Sequence, residues 1–353
     1  MTTNLTPFTV TLGRSGLVVP KNGFGALPIQ RISLRESVYL LQKALDNGMY
    51  YFDTARYYTD SEAKLGAALH DRRDRVVIST KTGATTAEGF WRDLETSLRE
   101  LRTDFIDLYQ FHNPSFCPRP GDGTGLYEAM QEAQRQGKIG HIGLTNHRLA
   151  VAREAIESGL YETLQFPFSY LASDKEHDLV RRCEQNQVGF IAMKALSGGL
   201  ISHAATAYAF LAQYPVVPIW GIQRETELDE FLSFQSNPPS LTDEMRHRIE
   251  QDRAQLSGDF CRGCGYCQPC PAGIEIESCN RMYLFLRRAP YSVYLNEEFY
   301  DKMQKVKDCL HCHRCSSKCP YNLDTPALLQ RNYDDFMEHW SRRDQIFATS
   351  SNQ

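Results

Sequence analysis

The positions of the cysteines divide this chain into a cysteine-poor part and a cysteine-rich part, which are stabilised in different ways. Of the 353 residues 11 are cysteines, and nine of these fall between Cys261 and Cys319. The other two are Cys117 and Cys183. The sequence begins without the basic start and apolar run of a secretory signal, so a disulfide framework is not expected. Clustered cysteines then indicate metal ligation, and the composition changes near residue 256.

Composition excludes several classes of partner. Hydrophobic residues make up 42% and charged residues 23% of the chain, which is ordinary for a globular protein. The formal net charge is −4 and no block of like charges stands out, so neither nucleic acid nor a membrane surface is an expected partner. No stretch approaches the 18 apolar residues of a membrane-spanning helix. We expect a cytoplasmic protein.

Before the cysteine-rich part, β-rich runs alternate with helical patterns. Helix starts are indicated by Ser33 with Glu36, Thr85 with Glu88, and Ser173 with Glu176, each with the spacing of a capping box. The β-rich runs number eight and lie at 22–25, 49–54, 76–80, 105–111, 139–144, 163–166, 188–193 and 216–220. Such alternation over about 200–250 residues predicts an α/β fold, a closed (β/α)8 TIM barrel. The turn at 13–16 predicts a hairpin that caps the barrel floor.

The alternative fold is an open, doubly wound sheet. That fold usually carries G-x-G-x-x-G after its first strand. Gly23 and Gly25 match the first two glycines, but Pro28 stands at the place of the third. The sequence therefore favours the barrel.

Polar side chains follow successive strands at the point where each strand ends. Asp53, Lys81 and His112 end the second, third and fourth β-rich runs, and Tyr58 follows in the loop after Asp53. Active sites of such barrels lie at this end. A tyrosine phenol is a poor acid at neutral pH until a nearby ammonium stabilises its phenolate. Aspartate can hold the lysine, and a neutral histidine can donate to a carbonyl oxygen, so the set predicts carbonyl reduction.

Five segments together resemble the aldo/keto reductases. They read DTARYYTDSE (53–62), STKTG (79–83), DLYQFHNP (107–114), IGLTNH (142–147) and GFIAMKALSGG (189–199). The resemblance covers roughly residues 7–255. It implies that Asp53, Tyr58, Lys81 and His112 form a catalytic tetrad that works with NADP or NAD on a small carbonyl or alcohol.

The same resemblance implies a cofactor site. Thr145, Asn146 and Gln165 match the residues that bind the nicotinamide carboxamide, and Arg224 would hold a 2′-phosphate, which favours NADP. The alternative is that Arg224 is a solvated arginine at the start of a helix. In that case NAD is as good a candidate for the cofactor as NADP. The other cofactor contacts implied, along the pyrophosphate and beside the first and last strands, are Gly25, Met193, Lys194, Leu196, Gly198, Gly199, Gly221 and Gln223. Three residues depart from the family: Thr59 replaces Gly, Thr145 replaces Ser, and Met193 replaces a Tyr that stacks on the nicotinamide.

The cysteines form two tight runs, each followed by proline. The second run, C-x2-C-x2-C-x3-C-P at 309–320, has the spacing of a bacterial ferredoxin. The first, at 261–271, is one residue shorter in its last gap. A zinc site is the alternative, but it usually takes two C-x2-C pairs separated by a longer loop. We therefore predict two [4Fe–4S] clusters, with ligands Cys261, Cys264, Cys267, Cys270, Cys309, Cys312, Cys315 and Cys319.

In ferredoxin runs the fourth cysteine usually ligates the other cluster. Crossed ligation would group Cys319 with the first three cysteines of the first run, and Cys270 with the first three of the second. Cys279 is left as a buried free thiol, and His311 and His313 are expected to face solvent. The predicted domains are an aldo/keto reductase barrel over 1–255, a ferredoxin-like iron–sulfur domain over 256–330 and a C-terminal tail over 331–353.

Combining these parts leaves three hypotheses. Nicotinamide moves two electrons as hydride and a cluster moves one, so exchange between them normally needs a flavin. The first hypothesis is carbonyl reduction at the tetrad, with structural or regulatory clusters. The second is electron transfer through the clusters to an external flavoprotein or ferredoxin. The third is a catalytically idle barrel that acts as a redox sensor or an assembly subunit, against which the complete tetrad argues.

Overall fold

The computed structural model describes residues 8–256, 260–288 and 291–350. They form two compact units. The barrel unit comprises the chain up to Leu196 together with His203–Glu250, and the C-terminal unit comprises Ser197–Ser202 together with the chain from Gln251 onward. The domain limits expected from the sequence remain predictions, and they did not foresee that Ser197–Ser202 groups with the C-terminal unit.

The predicted hairpin is present. Strands β1 (Thr9–Thr11) and β2 (Val18–Pro20) pair antiparallel. In the turn between them, Gly13 makes an antiparallel bridge to Val188, which directly precedes the barrel strand Gly189–Met193. The hairpin therefore lies at the end of the barrel where the strands begin, as expected for a floor.

Eight parallel strands close into a barrel in chain order, which confirms the predicted fold. Each strand pairs with the next, and the last pairs with the first. The strands are β3 (Gly23–Gly25), β4 (Tyr51–Asp53), β5 (Val77–Thr82), β6 (Ile106–His112), β7 (Ile139–Thr145), β8 (Thr163–Pro167), β9 (Gly189–Met193) and β10 (Val216–Gly221). All eight fall on the β-rich runs of the sequence, because strands covered on both faces read as nearly continuous apolar segments.

Helices follow the strands around the barrel. They are α1 (Leu34–Asp46), α2 (Ser61–Leu69), α3 (Ala87–Leu101), α4 (Leu126–Arg135), α5 (Leu149–Glu157), α6 (Asp174–Gln185), α7 (Ala204–Leu211), α8 (Glu225–Ser236) and α9 (Asp243–Gln255). The capping box of α1 is confirmed, with the Glu36 carboxylate accepting from the backbone N–H of Ser33 at 2.9 Å. Leu41 and Leu45 of α1 are buried, whereas Leu34 in its first turn is 54% exposed.

One predicted helix start is wrong by a residue. Thr86, not Thr85, caps α3, and its hydroxyl accepts from the backbone N–H of Gly89 at 3.1 Å. Thr86 has the extended backbone that a capping residue needs, with φ −138° and ψ 155°. Two adjacent threonines compete for this place, and sequence spacing alone cannot separate them.

The C-terminal unit is helical. Its helices are α10 (Ile276–Cys279), α11 (Met282–Arg288), α12 (Tyr291–Tyr294), α13 (Glu297–Gln304), α14 (Arg314–Lys318), α15 (Thr325–Ser341) and α16 (Arg343–Ser350). Helix α15 carries Leu329 and Phe336 into a core with Ile276 and Met303. Cys279 is buried in the same core, as expected for a free thiol. In the part of the chain that the structure describes, no helix is long and apolar enough to cross a membrane.

Candidate active site and iron–sulfur segment

The barrel brings the four predicted catalytic side chains to one end. Asp53 ends β4, Lys81 lies one residue before the end of β5, and His112 ends β6. Strand β5 pairs parallel with β4 on one side and with β6 on the other, so these ends are neighbours. Tyr58 lies in the loop between β4 and α2.

Lys81 and Asp53 form a buried ion pair. The Lys81 Nζ lies 2.7 Å from Asp53 Oδ2 and 2.6 Å from the Thr54 carbonyl oxygen. Lys81 is 1% and Asp53 2% exposed. Burial raises the pKa of Asp53 and lowers the pKa of Lys81, and the attraction between the two groups opposes both shifts. Neither charge is easily held without the other.

Tyr58 and His112 lie beside this pair. The Lys81 Nζ is 5.6 Å from the centroid of the Tyr58 ring. The rings of Tyr58 and His112 meet edge to face, with centroids 5.8 Å apart. Burial, and then the neighbouring Lys81 charge, lower the pKa of His112 to about 3. The imidazole is therefore neutral at physiological pH, and a neutral imidazole can still donate one hydrogen bond through its protonated ring nitrogen.

A polar network behind the ion pair was missed by sequence reasoning. The Gln110 amide donates to Ser79 Oγ at 2.8 Å and to the Gln165 side-chain oxygen at 2.9 Å. Ser79 in turn donates to Asp53 Oδ1 at 3.1 Å. These contacts fix the carboxylate that holds Lys81. A signal existed, because Ser79 lies two residues before Lys81, and alternate residues of a strand share a face.

Tyr57 and Gly83 were also missed. Tyr57 is 62% exposed, and its ring centroid lies 6.0 Å from that of His112. A Cβ at Gly83 would lie 2.1 Å from Cε2 of Tyr57. The glycine after β5 therefore leaves room for an aromatic ring next to the catalytic side chains.

The residues expected at the nicotinamide lie near the same strand ends. Thr145 ends β7 and Gln165 lies in β8, and both are buried. The Asn146 side chain is held by the backbone, since its amide donates to the Pro114 carbonyl at 2.8 Å. The Thr145 hydroxyl is 4.0 Å from the sulfur of Met193. Buried amide groups fixed in this way suit recognition of a carboxamide.

The segment after β9 has an unusual backbone. Lys194 and Ser197 have positive φ angles of 53° and 50°, and Gly198 and Gly199 have 67° and 91°. Leu196 lies within this segment. Glycine adopts such angles without steric cost, and the missing side chains leave backbone N–H groups accessible to phosphate oxygens. The role of this segment at the cofactor pyrophosphate stays a prediction.

Two glycines and a helix start complete the expected cofactor contacts. Gly25 and Gly221 lie opposite each other where β3 pairs with β10. Arg224 caps α8, and its Nε and Nη2 lie 2.9 Å and 2.6 Å from Glu227 Oε1. The other oxygen of Glu227 accepts from the backbone N–H of Gln223. A 2′-phosphate would have to compete with Glu227 for Arg224, so its role as an NADP anchor stays a prediction.

The cysteines gather in two groups within the C-terminal unit. Cys261 interacts electrostatically with both Cys264 and Cys319, and Cys267 interacts with Cys261 and Cys264. Cys319 packs against the buried cluster that contains Cys261. The last cysteine of the second run is thus grouped with the first run, which fits crossed ligation.

The second group has the reciprocal arrangement. Cys270 shares one concavity with Cys309, Cys312 and Cys315, and Cys267 also reaches its lining. Among the described residues, no three His, Cys, Asp or Glu side chains are arranged to hold a single metal ion, as a zinc site would require. A four-iron cluster is larger than one ion, and a donor set made of thiols suits it. His311 and His313 are exposed, as expected.

Sequence comparison assigns both parts of the chain. The sequence model of the aldo/keto reductase family matches residues 21–209, which is more than half of the chain. The 4Fe-4S dicluster domain matches residues 260–324. YrpG of Bacillus subtilis, described as an uncharacterized oxidoreductase, is 30% identical over 225 residues, covering 55% of this chain and 68% of that protein. L-galactose dehydrogenase of Arabidopsis thaliana is 27% identical over 210 residues, covering 54% and 66%.

Another Bacillus subtilis oxidoreductase, YqkF, is 26% identical over 205 residues, covering 54% of this chain and 65% of its own length. The chain thus spans about two thirds of the length of the curated relatives it matches.

Solved structures show the same fold. PA4992 of Pseudomonas aeruginosa has a TM-score of 0.59 and 25% identity, covering 66% of this chain and 96% of its own. An aldo/keto reductase of Klebsiella pneumoniae, solved in complex with NADP and acetate, has a TM-score of 0.57, 23% identity and coverages of 70% and 95%. The closed barrel, the family match over more than half of the chain and the dicluster match that follows it lead to one conclusion: the chain belongs to the aldo/keto reductase family and carries a C-terminal 4Fe–4S domain.

Proposed function

We propose that the barrel reduces a carbonyl group, or oxidises an alcohol in the reverse direction, at the tetrad of Asp53, Tyr58, Lys81 and His112. The observation that carries this proposal is the buried Lys81–Asp53 ion pair beside the Tyr58 ring. Burying an ammonium group lowers the stability of the fold. Its position next to a phenol suits stabilisation of a phenolate.

The chain's residues divide the work as follows. NADPH, when bound, supplies the hydride for the carbonyl carbon. The Tyr58 Oη gives its proton to the oxygen of the substrate, and the Lys81 ammonium stabilises the phenolate that remains. Asp53 holds Lys81 in place, and neutral His112 donates a hydrogen bond to the substrate oxygen. Tyr58 then regains a proton from solvent.

The proposed cofactor site uses the residues that the family resemblance indicates. Thr145, Asn146 and Gln165 would orient the nicotinamide, and the segment from Lys194 to Gly199 would hold the pyrophosphate. Support comes from the burial of the first three side chains and the positive φ angles of the segment. NADP is the preferred cofactor. NAD is the alternative, because the ion pair between Arg224 and Glu227 competes with binding of a 2′-phosphate.

A matched pair of tyrosine variants tests the proposal. Tyr58→Phe removes only the proposed acid, so reduction of a panel of aromatic, aliphatic and dicarbonyl compounds should fall by about 10²–10⁴-fold. NADPH affinity, measured by fluorescence titration, should stay within about twofold. Tyr57→Phe, one residue away, should keep most of its turnover. Retention of activity in Tyr58→Phe would contradict the assignment.

A second function is favoured by one observation in the C-terminal unit. Cys312 is exposed, and the adjacent Leu310 is 67% exposed. Lys305, Lys307 and Arg314 are exposed within five residues of Leu310 in the sequence, where Asp308 is the one exposed carboxylate. An exposed apolar residue in a segment with more cations than carboxylates, next to a cluster, suits an acidic one-electron carrier such as a ferredoxin. The clusters would then link the barrel to that carrier, with a flavin needed wherever hydride is exchanged for single electrons.

Charge reversal tests this second function. A Lys305→Glu/Lys307→Glu variant should react more slowly with an acidic ferredoxin after dithionite has reduced its clusters. The wild-type rate should fall with added salt and the variant rate should not. Equal rates for both proteins at low salt would exclude the proposed docking surface.

A further inference from the structure

Arg281 is a buried cation in the C-terminal unit, and one of its N–H groups lacks an acceptor among the described residues. It lies directly before α11 and is 9% exposed. Its Nε is buried and has no hydrogen-bond partner among the described residues. A buried guanidinium N–H without a partner is expensive. The residue therefore points to an acceptor that a ligand supplies.

One end of the guanidinium is tied to a loop. The Arg281 Nη2 donates to the carbonyl oxygen of Gly198. Gly198 belongs to Ser197–Ser202, and among the described residues before Gln251 this is the segment that groups with the C-terminal unit. This loop begins three residues beyond Lys194, within the segment proposed to hold the pyrophosphate.

The Arg281 side chain also lies close to the first cysteine run. A Cβ at Gly263 would lie 2.5 Å from Arg281 Nη1, so a glycine is what lets the guanidinium approach this run. Arg281 and Cys261 are close enough to interact electrostatically. Thiolates and sulfides of a cluster here would supply the acceptor that Nε lacks, and would add to the negative charge of the nearby Glu277. The residues present thus fit a cluster with an arginine at its edge.

From these contacts we infer that Arg281 is a positioning residue that couples the cluster of the first cysteine run to the Ser197–Ser202 loop, so that the charge on the cluster sets how tightly the protein holds NADP⁺. The inference rests on the proposed use of this loop for the cofactor pyrophosphate. It gives the cluster a regulatory role in which no electron needs to reach the nicotinamide.

The direction of the coupling follows from charge. One electron from an external reductant makes the cluster more negative, without making or breaking a bond in the protein. Arg281 is then drawn more strongly towards the cluster and less towards Gly198, which loosens the loop. Reduced protein should therefore bind NADP⁺ more weakly than oxidised protein. By linkage, bound NADP⁺ should make the cluster harder to reduce.

Redox titration of the intact, cluster-loaded protein tests this. The potential of the first cluster is measured by electron paramagnetic resonance, with dithionite as reductant, with and without saturating NADP⁺. NADP⁺ should lower the potential of the wild-type cluster, and a tenfold difference in affinity between the two states corresponds to about 59 mV. Arg281→Gln should abolish most of this shift and weaken NADP⁺ binding to oxidised protein by roughly tenfold.

Arg262→Gln is the matched control. It removes an equal charge beside the same run, but the Arg262 side chain stacks on Phe260 and Tyr321 and donates to the Phe260 carbonyl. This variant should keep the NADP⁺-dependent shift. The inference is overturned if NADP⁺ leaves the wild-type potential unchanged or raises it, or if Arg281→Gln keeps the full shift. The wild-type measurement decides the matter even if Arg281→Gln fails to retain iron. Failure of the wild-type protein to bind NADP⁺ at all would instead refute the proposed function.

Discussion

At the scale of single residues, the site contains two buried charges of opposite sign, and each is stabilised by the other. Lys81 and Asp53 are almost completely buried and lie 2.7 Å apart. Removing one member of such a pair leaves the other charge without compensation. The pair therefore affects the stability of the barrel as well as the proposed catalysis, and the two effects can be separated by experiment.

A double-variant comparison makes that separation. Asp53→Asn should destabilise the barrel by about 3–5 kcal/mol, because the Lys81 charge stays buried without a carboxylate. Adding Lys81→Met should recover much of the lost thermal stability, while carbonyl reduction stays abolished. Thermal unfolding followed by circular dichroism measures the first effect, and NADPH oxidation the second. If the double variant is no more stable than Asp53→Asn, the unpaired Lys81 charge is not what destabilises Asp53→Asn.

His112 gives a prediction about pH. Its pKa falls from 6.5 to about 3 on folding. Between these values the unfolded chain binds a proton that the folded chain does not, so this residue lowers stability as the pH falls through that window. From about pH 7.5 to pH 5, the melting temperature of the wild type should drop more than that of His112→Asn. Parallel pH curves for the two proteins would show that His112 is not held neutral by burial.

At the scale of elements, the sequence predicts strands better than it predicts contacts. The β-rich runs locate all eight barrel strands because buried parallel strands are apolar along their length. Polar residues inside those strands are harder to interpret. Ser79 and Gln110 each lie two residues before a predicted catalytic residue, but that spacing does not report the hydrogen bonds by which they position Asp53. The link from Arg281 to Gly198 joins residues 83 positions apart, which no local pattern reports.

The end of β5 provides a test of how an element shapes the site. Gly83→Ala would place a methyl group against Tyr57, with the new Cβ 2.1 Å from Cε2 of its ring. Because Tyr57 is 62% exposed, its ring can swing away and the fold should survive. The KM for carbonyl substrates should change several-fold, with little change in melting temperature. Gly83→Ala/Tyr57→Ala should be no different from Tyr57→Ala alone, and a further change in the double variant would contradict this contact.

At the scale of the whole molecule, the chain combines a closed barrel with a small unit that is expected to depend on metal. Clusters contribute folding free energy to small domains that bind them. Cys312→Ser should therefore lose about four of the eight irons expected for two clusters, together with part of the visible absorbance. Its C-terminal unit should become sensitive to limited proteolysis. Cys279→Ser, which alters a buried thiol outside both runs, should keep all of its iron. Full iron content in Cys312→Ser would contradict the ligand assignment.

The most direct test of carbonyl reduction at the tetrad is to follow the hydride itself. NADPH carrying deuterium at C4 is incubated anaerobically with the protein and a panel of carbonyl compounds, and the alcohol products are examined by mass spectrometry. We predict that deuterium appears on the carbinol carbon with wild-type protein, including Cys312→Ser, and is lost in Tyr58→Phe. If no product carries deuterium while NADPH bleaches the cluster absorbance near 400 nm, the electrons leave through the clusters and the carbonyl-reductase proposal is wrong.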